Sequence, residues 1–247
     1  AIYLNNEMLC NDFKGSDTNH LNKSSLINST VYGKSVYISH LAEVKSSILD
    51  SEPGPIYIDE GASVGPGAMI RGPVYIGRNS IVNPGSRLGG GVSIGPVCKV
   101  GGEVEDSIIE GYSNKQHDGY LGHSYVGRWV NLGANTNVSN LKNNYSNVKV
   151  QLESDLVDTK KMFVGSLIGD HVKTAISTSL NTGTTIGLGA NVFNNDFSSK
   201  FIKSYAWGRE GTTDFKKFIS TAKKVKERRG RKISEPELKL FKSILIH

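Results

Sequence analysis

A histidine, a tyrosine and two asparagines stand close together in the middle of this chain: His117, Tyr120, Asn131 and Asn140. They lie in a run that reads Ser113-Asn114-Lys115-Gln116-His117-Asp118-Gly119-Tyr120-Leu121-Gly122, followed by Val130-Asn131-Leu132-Gly133-Ala134-Asn135-Thr136. An imidazole can take a proton from a nucleophile, and a phenol and carboxamides can orient a sugar. Backbone amides of a tight turn can stabilise the oxyanion of an acyl transfer. An exposed loop histidine is commonly inert, so residue types alone do not assign the base.

The element that must position these residues is set by a period of six. Ile58, Val64, Ile70, Ile76, Val82, Leu88, Ile94 and Val100 recur at six-residue intervals, each followed four positions later by a small or β-branched residue, from Ala62 to Val104. Neither a helix (3.6) nor a flat strand (2.0) has that period. It predicts an all-β fold, a parallel β-helix of hexapeptide repeats in which three short strands and three turns make each coil. Gly61, Gly67, Asn79, Gly85 and Gly91 hold one position of the repeat, as turns needing positive φ require.

A looser repeat opens at Leu26 and passes through Tyr32, Ile38 and Val44, with two-residue insertions expected between Asp50 and Ile58 and between Val100 and Ile108. The predicted column covers residues 26–207. It is interrupted by a polar excursion at about 140–163, in which 148–152 and 160–164 are candidates for a hairpin, and Thr174 is a polar residue in an apolar slot. Residues 1–25, rich in Asn, Ser and Asp, read as an irregular lead-in with one short strand candidate at Ile2-Tyr3-Leu4. Residues 208–247 read as a helical extension. Phe215, Phe218, Ala222 and Val225 keep helical spacing behind Thr213 and Asp214, and Ser234-Glu235-Pro236-Glu237 is a capping box.

The net charge of +6 is local: residues 216–232 hold nine Lys or Arg against one Glu, so the column itself is not basic. A solvated amphipathic helix is the plainer reading of that tail, and it lacks the interleaved aromatics of a single-strand binder, so no nucleic-acid partner is expected. Neither a basic-apolar leader nor an apolar run of about 20 residues is present, which makes the cytoplasm the default and a membrane unexpected. Cys10 and Cys98 are too few for a disulfide framework and read as plain thiols.

The order His117-x-x-Tyr120-Leu121-Gly122, Asn131-Leu132-Gly133-Ala134-x-Thr136 and Asn140 resembles the acetyltransferase half of bifunctional glucosamine-1-phosphate acetyltransferase/N-acetylglucosamine-1-phosphate uridylyltransferases, with archaeal sugar-nucleotide relatives closer. The likeness runs over about residues 55–195. It implies a left-handed β-helix and N-acetylation of an amino-sugar 1-phosphate by acetyl-CoA, in a homotrimer with sites between columns. On that resemblance His117 is the general base, Tyr120 holds the phosphate or orients the sugar, and Asn131 and Asn140 bind sugar and acyl region. The Ala134 N–H, in a turn with Thr136, meets the acyl carbonyl, and Lys149 meets the sugar phosphate. Arg87, thirty residues before His117, matches a phosphate arginine; Arg71 and Lys115 are the competing cations. Glu105 departs from the pattern, standing where the bacterial enzymes place a lysine, and Asn135 replaces a glycine. No glycine-rich nucleotidyl-transfer loop is found, so uridylyl transfer is not assigned to these residues.

Two other readings fit parts of the chain. One is a trimerising module that binds a sugar nucleotide without acetylating. The other is a zinc hydratase of the γ-carbonic anhydrase type, with His117, His123 and either His171 or His40 as ligands; its spacing differs, and no metal is expected. The arginines of the tail, Arg228, Arg229 and Arg231, are candidates for the coenzyme's phosphates.

Overall fold

In a computed structural model, residues 1–13, 25–193 and 199–245 are described. A triangular column of parallel strands dominates it. One face stacks Leu26–Ile27, Glu43–Lys45, Ser63–Val64, Ile81–Val82, Lys99–Val100 and Asn114–Lys115, then continues through single bridges at Asn131 and Lys173. The second stacks Thr30–Tyr32, Ile48–Asp50, Met69–Arg71, Arg87–Gly89, Glu103–Glu105 and Tyr120–Gly122. The third is a nine-stranded sheet from Val36–Ile38 to Phe201–Ile202. Each strand turns one hexad residue inward, and Ile58, Val64, Ile76, Val82, Ile94 and Val100 are all fully buried. Burying each such side chain stabilises the column by about 1.5–3 kcal/mol.

The small slot is also explained. Where it is serine, the hydroxyl bonds a backbone carbonyl, of the neighbouring coil for Ser80 Oγ to Gly95 (2.7 Å) and Ser113 Oγ to Gly127 (2.7 Å), and of its own coil for Ser86 Oγ to Asn83 (2.5 Å). A larger residue would take up the space needed for the turn. Thr174 is satisfied from the neighbouring coil too, its hydroxyl accepting from the Gly133 N–H (2.9 Å) and lying 2.8 Å from that of Thr136.

Several boundaries differ from the sequence expectation. Coil length does rise to twenty residues where Ile38 pairs with Ile58. Around Val100, however, the coil shortens: Val100 pairs with Lys115 and Ile94 with Ile109, fifteen residues on. The expected insertion is a deletion, because Val104 follows Val100 inward after only four residues. The excursion hairpin forms between Lys149–Leu152 and Asp155–Asp158, not with 160–164, since the tight turn at Glu153 (φ 48°) returns the chain at once. Its root, Val148, Val150 and Val164, makes a small core of its own.

The beginning of the chain is a helix, α1 (Ile2–Asp12), where an irregular lead-in with a strand was expected; residues 14–24 of that lead-in lie outside the described residues. It has no side-chain cap, and its Asn residues are weak helix formers. Tertiary contacts hold it: Leu9 is buried, Asn5 donates to the Gly91 carbonyl (2.7 Å) and accepts from Ser93 Oγ (2.8 Å), and the Tyr3 hydroxyl donates to the Phe163 carbonyl.

At the other end α2 (Phe215–Glu227) is capped by Asp214, and α3 (Glu235–Ser243) by the Ser234/Glu237 box. This arm folds back along the first face and docks on one corner of the column. There the turn residues with positive φ, Gly61 and Asn79 in early coils, become Val97, Tyr112, Trp129, His171 and, past Gly189, Tyr205. A left-handed conformation costs such residues about 1–2 kcal/mol each. It is offset by packing: Tyr112 stacks on Trp129 (4.2 Å), Trp129 on His171 (6.2 Å), and Phe218 and Phe241 meet His171 edge-on. The basic residues take part in the docking. Arg229 donates to Asn114 Oδ1 (3.2 Å), Arg231 to the Tyr112 hydroxyl (2.9 Å), and buried Lys226 pairs with Glu237 over the Trp129 ring. No helix among the described residues is long and apolar enough to cross a membrane, and both cysteines are free.

Candidate functional site

His117 lies exposed on the corner between the first and second faces. Gln116 Nε2 approaches its Nε2 at 3.3 Å. The amide nitrogen can only donate, so this contact suits the tautomer in which the histidine nitrogen carries a lone pair. The next coil brings Ala134 to the same corner: Asn135 N–H bonds the Asp118 carbonyl (2.9 Å), and Ser177 N–H bonds the Ala134 carbonyl (2.7 Å). His117 and Ala134 therefore belong to adjacent rungs, about 4.8 Å apart. The Ala134 N–H has no partner among the described residues.

On the adjoining second face a hydrogen-bonded group forms around Tyr120. Its hydroxyl donates to Glu105 Oε2 (3.2 Å) and accepts from Asn140 Nδ2 (2.9 Å). The other Asn140 N–H faces His123 Nδ1 (3.0 Å), whose opposite nitrogen lies 3.6 Å from Asp106. Phe163 stacks on the His123 ring (5.4 Å) and Tyr3 of α1 tilts against it (5.8 Å). Burial pushes the His123 pKa down against the opposing pull of Asp106 and Glu105, and burial followed by the Glu105 charge pushes Tyr120 up. Both rings thus keep their neutral forms at pH 7. Asp106 and Phe163 were not among the residues singled out, and His123 was named only as a zinc-ligand candidate. Glu105 carried a signal as a carboxylate in an expected cationic position.

Gly122 lets the phenol fold over it: a Cβ there would stand 2.2 Å from the Tyr120 hydroxyl and 2.7 Å from Asn140 Nδ2. Gly122→Ala is expected to break both bonds and to cost about 1–2 kcal/mol in urea unfolding. Gly89→Ala, whose Cβ meets nothing within 4 Å, is expected to leave stability unchanged.

The remaining candidates are dispersed. Asn131 sits on the first face, accepting from Asn114 Nδ2 (3.3 Å) beneath the arm, so it and Tyr120 flank the His117 corner from two faces. A cavity of about 270 Å³ beside it is lined by Lys173, Arg228 and Arg229 among others. Arg87 aligns with Glu103 and bonds it at 2.6 Å, not with position 105, because the coil there is short. Arg71 is exposed and loosely paired with Asp50 (3.6 Å). Lys149 is exposed on the hairpin.

Two candidates point the wrong way. Lys115 is inside the column, 3% exposed, where Val100 and Leu132 precede and follow it. Its ammonium donates to the carbonyls of Gly101 (3.0 Å) and His117 (2.6 Å), and burial lowers its pKa to about 8. It is no surface cation for a phosphate, but it pins the His117 turn from within. Thr136 is likewise buried, its hydroxyl donating to Gly133 O (2.7 Å), so it cannot touch a ligand. The histidines proposed as zinc ligands do not converge within the protomer. His40 and His117 are exposed, His123 is locked to Asn140, and His171 is 1% exposed under the arm.

The family model for bacterial transferase hexapeptide, six repeats, matches residues 55–90. The column is a hexapeptide-repeat domain. That family gives the column its left hand. The repeat domain is 33% identical over 91 residues to the bifunctional sugar-1-phosphate nucleotidylyltransferase/acetyltransferase of Sulfurisphaera tokodaii, covering 37% of this chain and 23% of that protein. It is 37% identical over 99 residues to the bifunctional protein GlmU of Methanococcus aeolicus, covering 38% of this chain and 24% of that one. The hexapeptide-repeat chain thus spans less than a quarter of the length of these relatives. AntD, an N-acyltransferase from Bacillus cereus crystallised with dTDP and 3-hydroxybutyryl-CoA, aligns over 85% of this chain and 95% of that one, at 13% identity and a TM-score of 0.27.

Proposed function

We propose that this chain is an acetyl-CoA-dependent N-acetyltransferase acting on an amino-sugar 1-phosphate, working as a homotrimer. The observation that carries the reading is the shared corner. An exposed imidazole whose Nε2 is met only by the side chain of its neighbour Gln116, a contact an incoming amine can replace, and an unpartnered backbone N–H stand one rung apart, the pair of groups that an amine attacking a thioester needs. His117 takes the proton from the attacking amine, the Ala134 N–H bonds the oxyanion that develops on the thioester carbonyl, and collapse of that intermediate breaks the C–S bond and expels the thiolate, which takes the proton back from His117 and leaves as the thiol. Acetyl-CoA supplies the activated acyl group. The buried Lys115 ammonium keeps the His117 carbonyl, and with it the turn, in place.

The names of the archaeal relatives support the substrate class, and the exposed Ile48–Met69 pair on the second face supports association of columns. The test is thiol release from acetyl-CoA in the presence of glucosamine 1-phosphate and then galactosamine 1-phosphate. Turnover with either sugar is the expected result. Absence of turnover with both, while a sugar nucleotide still binds, would replace this reading with that of a non-catalytic, trimerising module.

A further inference from the structure

Gly90, Asp106 and His123 hold the corner between the second and third faces in three successive coils, all with positive φ (69°, 41° and 47°). Glycine suits that backbone, and a histidine is strained in it. Strain of this kind collects where a side chain has a task.

The side chains at this corner are linked in order. The Gly91 N–H fixes one Asp106 oxygen (3.1 Å), and the other lies 3.6 Å from His123 Nε2. A carboxylate beside Nε2 draws the ring proton to that nitrogen and leaves the lone pair on Nδ1. Phe163 and Tyr3 cover the ring, and burial keeps it neutral. Nδ1 therefore meets Asn140 Nδ2 (3.0 Å) as an acceptor. The Tyr120 hydroxyl, whose own proton goes to Glu105, is the second acceptor (2.9 Å).

Shape alone does not orient the Asn140 side chain. The two ends of a carboxamide are nearly the same size, and the Val164 N–H holds only the Asn140 backbone carbonyl (2.9 Å). Hydrogen bonding decides. Two acceptors on one side take both N–H groups, so Oδ1 faces away from them, with no partner among the described residues. The opposite tautomer of His123 would present an N–H to Asn140 and turn the carboxamide over.

We propose that His123, its tautomer set by Asp106, is a positioning residue that turns the Asn140 carboxamide oxygen toward the acceptor sugar, where it accepts from a sugar hydroxyl. The assignment rests on the acetyltransferase reading for the identity of the sugar. It leaves the amine to the His117–Ala134 corner, at the other edge of the second face. His123 takes no part in proton transfer.

The test has two readouts. Nitrogen–proton correlation spectra of the native chain carrying nitrogen-labelled histidine are expected to show His123 at pH 7 with its proton on Nε2 and none on Nδ1. The second is calorimetric binding of glucosamine 1-phosphate with no acyl donor present. His123→Gly suits the left-handed backbone and removes the acceptor, so it is expected to weaken binding by about three- to tenfold, the usual contribution of one hydrogen bond. His123→Asn also suits that backbone and offers an amide oxygen to Asn140, so it is expected to restore affinity to within about twofold of native. A proton on Nδ1, native affinity in His123→Gly, a loss that His123→Asn does not restore, or no binding by the native chain would overturn the proposal. Loss and rescue in a chain without thiol release would sink only the catalytic reading. Thiol release with an unmoved affinity would sink only this one.

Discussion

Replacing His117 by alanine is expected to lower kcat for acetyl transfer by roughly 10²–10⁴-fold, the usual contribution of a positioned general base. The loss should be chemical, not structural. The side chain is exposed, and its one polar contact is with its neighbour Gln116. The turn itself is held by backbone groups that the substitution leaves alone: Lys115 Nζ bonds the His117 carbonyl, and Asn83 Nδ2 donates to the Gln116 carbonyl (2.6 Å). KM for the sugar should change little, because the proton transfer that the substitution removes is made in the transition state and not in the bound ground state. Thiol-release kinetics beside circular dichroism check this. A mutant that keeps more than a tenth of native kcat would remove His117 from the base role.

Acid is expected to loosen the C-terminal arm well before it disturbs the column. His171 is buried between Trp129, Phe218 and Phe241. Burial, with Lys173 and Lys226 adding to it, holds its pKa down at about 3. Once the arm leaves, the imidazole regains water and a pKa near 6.5. A histidine kept neutral by docking contributes stability that is complete above pH 6.5. It is lost as the pH falls toward 3, by about 1.4 kcal/mol per pH unit.

Glu237 works in the same direction lower down. Partial burial raises it, yet the bonds from Lys226 and Ser234 outweigh that and leave its carboxyl below the usual range. Its contribution is present above the ordinary glutamate pKa and disappears as pH falls through the lowered one, leaving the buried Lys226 ammonium unpaired. The midpoint of arm release in urea, followed by Trp129 emission, should therefore fall steadily from pH 7 to pH 4.5. His171→Asn suits the left-handed backbone at φ 59° and cannot titrate, so it should flatten that slope while lowering stability overall. An unchanged slope would place the acid sensitivity elsewhere.

The hexads and the two capped C-terminal helices were readable because each rests on local rules. A strand of this column must turn one residue in six inward, and Asp214 and Ser234 cap their helices within one turn. Helix α1 was not readable. Its sequence has little helical preference, and its order comes from Gly91, Ser93 and Phe163, which lie about ninety to one hundred and sixty residues away. Lys115 and Thr136 look like site residues in a one-dimensional run because both are polar and both neighbour His117 or Ala134. Only the register shows that they point into the column.

The amino-acid sequence by itself determined the repeat, its triangular coil and the order of His117, Tyr120, Ala134 and Asn140 along the chain, since these follow from spacing alone. Which residues meet across coils depends on the running length of every coil, and a single shortening after Val100 moved Arg87 from Glu105 to Glu103 and set Gly89 beside Glu105. Tertiary structure therefore decided the composition of the site: Glu105 on Tyr120, Asp106 on His123, and the arm beside Asn131. Stacking sums small local length changes, and a strand pleat converts each odd residue of that sum into the opposite face.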